Sequence, residues 1–153
     1  MIRYTLISLL LFNCTIIIGQ SINAILFVNE RVIDEGISDL NVNITNDLGQ
    51  EKYPISYYPG ELIFGDGNWA KMVSDKTSQI TISFDYNQFG KRNKHTITQY
   101  EITLKPIHFK QPYLMIHVYD FNKRKYKKWY KHLTDENNLT EIIFPNSGIY
   151  IRK

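Results

Sequence analysis

The chain has 153 residues, 43% of them hydrophobic and 22% charged, with a formal net charge of +3. This composition is ordinary for a globular protein. A single cysteine, Cys14, excludes a disulfide framework and any thiolate metal site.

The first element is a signal peptide. Arg3 supplies a positive charge, and Leu6 to Ile18 runs almost wholly apolar. Gly19-Gln20-Ser21 then places small residues where a signal peptidase reads them. Residues 1–21 are therefore expected to be removed, and mature protein to begin between Gln20 and Ile25. The apolar run falls short of the roughly 20 residues a spanning helix needs, so a retained anchor is the lesser alternative. Leu11-Phe12-Asn13 before Cys14 lacks the small residues of a lipid-attachment box. Cys14 leaves with the signal, so a catalytic cysteine is excluded too. A cysteine-free exported chain of this size is expected in a bacterial periplasm or outside the cell.

Residues 22–153 form one domain, with no linker or repeat to divide them. Strand-like alternation dominates it. Ile25 to Ile33 is a first candidate strand. Asp39 to Thr45 sets Leu40, Val42 and Ile44 against Asn41, Asn43 and Thr45. Glu61 to Phe64 is a short candidate, and Val73 to Ser78 offers one helical turn. Ile80 to Tyr86 and Thr98 to Leu104 alternate cleanly. Tyr113 to Phe121 is apolar on both faces, as a central strand should be. Lys125 to Leu133 is expected to pair with it as a β-hairpin turning near Asn122-Lys123-Arg124. Glu141 to Phe144 and Ile149 to Arg152 complete the set.

Turn residues such as Asp34-Glu35-Gly36, Tyr58-Pro59-Gly60 and Pro145-Asn146-Ser147-Gly148 separate the runs. The expectation is an all-β antiparallel β-sandwich of seven or eight strands, with under about a tenth helix. A small barrel is the runner-up. An outer-membrane barrel is a further alternative, although its strands need about 9–11 residues.

Charge is unevenly spread. Lys105 to His132 holds eight basic residues against Asp120 alone, whereas the rest of the mature chain is net acidic. On the expected hairpin strand, Lys125, Lys127, Trp129 and Lys131 share one side. Such a strip suits an anionic glycan or an acidic envelope protein; equally, lysines on an edge strand block aggregation. Nucleic acid suits the chemistry but not an exported protein. A second group, Tyr57, Tyr58 and Trp69, would stack on sugar faces if its two loops lie at one end of the domain.

Tyr119 to Tyr130, then Phe144-Pro145-Asn146-Ser147-Gly148 and the final Arg152-Lys153, resembles the tail of small uncharacterised secreted proteins of low-GC Gram-negative bacteria. The resemblance covers about the last forty residues and implies no activity. Val32 to Thr45 is similar to the opening strands of transthyretin-like and carboxypeptidase-regulatory-like sandwiches, which bears on fold alone.

No nucleophile elbow, zinc-helix motif, phosphate loop or dinucleotide fingerprint occurs. His95, His108, His117 and His132 are scattered. Asp34, Glu35 and Asp39, or Asp47 and Glu51, lack a recognised calcium-loop spacing. The expected function is a non-enzymatic interaction module of the cell envelope, with no cofactor, no metal and no membrane span after cleavage. A glycan- or anionic-ligand-binding module is the alternative.

Overall fold

The computed structural model describes residues 20–65, 68–74, 77–89, 95–134 and 136–147. The expected signal peptide lies outside them apart from Gln20 and Ser21, as does the candidate strand Ile149 to Arg152. The described residues are all-β in character, with 61% strand and 15% helix. Nine strands occur in order: β1 (Gln20–Val28), β2 (Arg31–Val32), β3 (Ile37–Asn46), β4 (Gly49–Tyr58), β5 (Gly60–Phe64), β6 (Thr77–Phe89), β7 (His95–Leu104), β8 (Leu114–Asp120) and β9 (Asn138–Ile143). Helix α1 (Asn68–Met72) follows β5, and α2 (Arg124–Tyr130) follows β8. Short 3₁₀ turns cover Pro106–Lys110 and Lys131–Leu133.

The hydrogen-bonded path is β7-β6-β3-β4-β5-β1-β8-β9, with β2 paired to β1. Its corner is β4. Residues up to Pro54 pair with β3, and residues from Ile55 onward pair with β5. A proline has no N–H to give to a ladder, so it suits the point where the strand exchanges one partner for another. The sheet then curls around one core, to which β1, β3, β5, β6, β7 and β8 all contribute. Distant parts of the path meet across that core: the Tyr100 hydroxyl of β7 donates to Asp120 Oδ2 of β8 at 3.2 Å, and both residues are buried.

Alternation puts the core where the sequence places it. Val42, Ile44, Ile80, Ile82, Ile102 and Leu104 are fully buried. Asn41 is buried against expectation because a bulge interrupts β3 between Ser38 and Asn41, with Asp39 at φ +48°. The Asn41 amide donates to the Asp39 carbonyl and carboxylate, which satisfies it locally.

The expected strand Ile25 to Ile33 is broken. Asn29 and Glu30 both have positive φ, at 53° and 68°, and form the two-residue turn between β1 and β2. The central-strand expectation for Tyr113 to Phe121 is met, since β8 pairs parallel with β1 and antiparallel with β9. The expected hairpin partner is not a strand: Arg124–Tyr130 is helical, and Asn138–Ile143 takes the place beside β8.

Candidate functional site

The basic segment is helical because its residues segregate at the helical period. Tyr126, Trp129, Tyr130 and Leu133 stand at i, i+3, i+4 and i+7, and so do Arg124, Lys127, Lys128 and Lys131. At about 100° per residue the two stripes are centred roughly 160° apart. Lysine and arginine are also good helix formers. Read at period two, the same residues mix cations and rings on both faces. The helical stripe is thus the signal that reveals this site, and the hairpin reading passes over it.

Helix α2 begins from an Asx turn. Asp120 Oδ1 accepts the Asn122 N–H at 2.8 Å, and the Asp120 carbonyl accepts the Lys123 N–H at 3.0 Å. Its seat is the outer face of β8. Tyr126 is buried, and the rings of Tyr126 and Tyr130 lie 5.4 and 5.0 Å from that of Tyr119. The β1–β2 turn clamps the same end: Asn29 Oδ1 accepts the Asp120 N–H at 3.0 Å, and the Lys125 ammonium reaches both Glu30 carboxylate oxygens at 3.0 and 2.9 Å. The ammonium holds the Glu30 carboxyl below its ordinary range, and Glu30 raises Lys125 in return. Both groups are exposed, so solvent screens the pair.

Beneath the helix, His117 stacks on Phe27 at 4.2 Å and 4°. Both of its ring nitrogens are buried and, among the described residues, have no hydrogen-bond partner. Burial lowers its pKa below 6.5, against the opposing pull of Glu141 and Glu30. The sign of the linkage follows. As pH falls, the unfolded chain takes up the proton first, so stability is complete above about 6.5 and is lost from there down to the lower folded value. His117→Phe keeps the stack and should reduce the loss of melting temperature between about pH 7.5 and about pH 5. An unchanged loss would place the proton uptake elsewhere; His108, also lowered by burial, is the next candidate.

The residues expected to bind ligand are redistributed. Lys125 and Trp129 come together, with the ammonium 4.9 Å from the indole. Lys125 is already engaged by Glu30, and Lys131 donates to the Glu136 carbonyl at 2.8 Å. Lys127 is exposed, and so are Lys123, Arg124 and Lys128. Among the described residues, none of these four forms an ion pair. Trp129 is half exposed beside them.

Tyr57, Tyr58 and Trp69 do not form one site. The tyrosines lie at the Gly60 end of β5, and Trp69 follows the Phe64 end. The Tyr57 hydroxyl accepts the Leu26 N–H at 3.1 Å, a backbone role, and burial raises its pKa. Tyr58 is well exposed. Trp69 packs against Phe64 and Phe109. Glu51 pairs with Lys71 of α1. Among the described residues, no three histidine, cysteine or acidic side chains converge to hold a metal ion, and no helix is long and apolar enough to cross a membrane.

No protein-family model, curated protein or solved structure matches this chain.

Proposed function

We propose that the chain is an exported, non-enzymatic β-sandwich module that holds an anionic partner, through the outward face of α2, in the periplasm or outside the cell. The observation that carries this reading is the segregation of α2: its rings fasten it to the sheet, while Lys123, Arg124, Lys127 and Lys128 face solvent without carboxylate partners among the described residues. The Tyr100–Asp120 contact supports the sandwich, with β7-β6-β3 laid over β5-β1-β8-β9 about the β4 corner. Exposed Lys52, Gln99, Glu101 and Thr103 favour a module in water over a membrane barrel, which needs an outward apolar band.

The test is association with an immobilised sulfated polysaccharide across a salt series. Arg124→Gln/Lys127→Gln/Lys128→Gln should slow association about tenfold or more at low salt, because charge steering acts on the on-rate. The far-UV spectrum should stay unchanged. Equal association by the variant and the wild type would refute the reading.

Export has its own check. Ile22 and Ala24 are buried core residues of β1, paired with Leu62 and Gly60. Mass spectrometry of the mature protein should find its first residue at Gln20, Ser21 or Ile22. A start at Ile25 would strip the core, and an intact Met1 would refute cleavage.

A further inference from the structure

At the opposite end of the β1–β8 pair from α2 lies a groove of about 480 Å³. The start of β1 forms one wall, and the Pro106–Lys110 turn with its exit through Gln111 and Pro112 forms the other. Trp69 and Phe109 line it, and because Phe109 is buried, the half-buried indole supplies the aromatic floor. That indole is fixed: its ring lies 5.9 Å from Phe64 and 6.0 Å from Phe109, tilted against both. Two amides stand on the walls, and each already uses one N–H inside the chain. Asn23 Nδ2 donates to the Pro112 carbonyl at 2.9 Å, and Gln111 Nε2 to the Ile107 carbonyl at 3.1 Å. Those bonds orient the amides and leave each its carbonyl oxygen to accept and its second N–H to donate; Lys110 lines the groove as well.

We propose that this groove binds a sugar ring. A pyranose has an apolar C–H face that lies flat on an indole, and hydroxyls around its edge that donate hydrogen bonds. Trp69 supplies the flat apolar surface, and the Asn23 and Gln111 oxygens supply the acceptors. The volume falls within the range of roughly 300–1,000 Å³ typical of small-ligand sites. The groove would recognise the ring through Trp69 and the two amides rather than through charge, so its binding differs in kind from that of α2. Ser21 also lines the groove, but it adjoins the expected cleavage point and has no part in the assignment.

The chain has two tryptophans, so Trp129→Phe leaves Trp69 as the only indole. Titrating that protein with methyl glucoside, methyl galactoside and N-acetylglucosamine should give, for at least one of them, a saturable fluorescence change. The midpoint should be on the order of millimolar, as a shallow single-ring site allows. Adding Gln111→Ala, or Asn23→Ala, should weaken that response about tenfold at an unchanged melting temperature. No saturable response to any of the three neutral sugars would overturn the proposal. A response that survives both amide substitutions would overturn it equally. Loss of polyanion binding through the α2 substitutions leaves this outcome untouched.

Discussion

Ile116→Ala should destabilise the protein by about 2–5 kcal/mol. Ile116 has no exposed surface and sits mid-strand in β8, opposite Leu26 of β1 and Ile142 of β9. Leu114 and Val118 fill the same face on either side and are equally buried. Because β8 is bonded along both edges, its backbone has little freedom to collapse into the space left behind. The cavity cost therefore adds to the lost transfer free energy. Urea unfolding should show a lower midpoint with an unchanged slope, the signature of altered stability without altered compactness. A loss below about 1 kcal/mol would mean that this face is not the core.

Tyr126→Ala should cost about 3 kcal/mol and should also impair polyanion binding, although it removes no charge. Tyr126 is 5% exposed and touches Tyr119 and Tyr130. Lys125 lies over its ring at 5.1 Å. Without it, the short helix keeps Tyr130 against Tyr119 of β8 and an exposed ion pair to the β1–β2 turn. A seven-residue helix does not persist in water unaided, so its cations would disperse. Trp129→Ala, at a position 48% exposed, should change stability far less. Its effect should fall on dissociation, since aromatic anchors commonly do the holding. Equal losses of stability in the two variants would contradict the packing described for α2.

The parts of this fold that sequence reveals are those where one face meets the core. β3, β6 and β7 alternate because one side of each is buried, and period two then follows from the pleat. β4 escapes notice although Tyr53, Ile55 and Tyr57 also alternate, because Pro54 speaks against a strand until the exchange of partners there is known. The break at Asn29-Glu30 hides for another reason. Asn29 tolerates left-handed backbone, whereas Glu30 is a poor candidate for it, and the contacts made there, Asn29 to Asp120 and Glu30 to Lys125, come from residues about 90 positions away.

The site shows the same division between local and tertiary information. Its cations and tyrosines stand out in the sequence. Their segregation shows only at the helical period, and a reading of this segment as a hairpin strand passes over it. Helix content above the expected tenth traces partly to this segment. The sugar-site expectation for Tyr57, Tyr58 and Trp69 separates because the tyrosines end β4 beside the Gly60 end of β5 while Trp69 lies in α1 beyond its Phe64 end, a matter of strand direction that composition does not encode.

The central claim is that α2 is a helix docked by its tyrosines, with its cations turned outward to an anionic partner. Backbone NMR of the mature protein, titrated with a sulfated oligosaccharide, tests this most directly. The account expects helical carbon shifts across Arg124 to Tyr130 and perturbations concentrated on the amides of Lys123 to Lys128 that fade as salt is added. Strand-type shifts in that segment, or perturbations centred elsewhere on the surface, would contradict it.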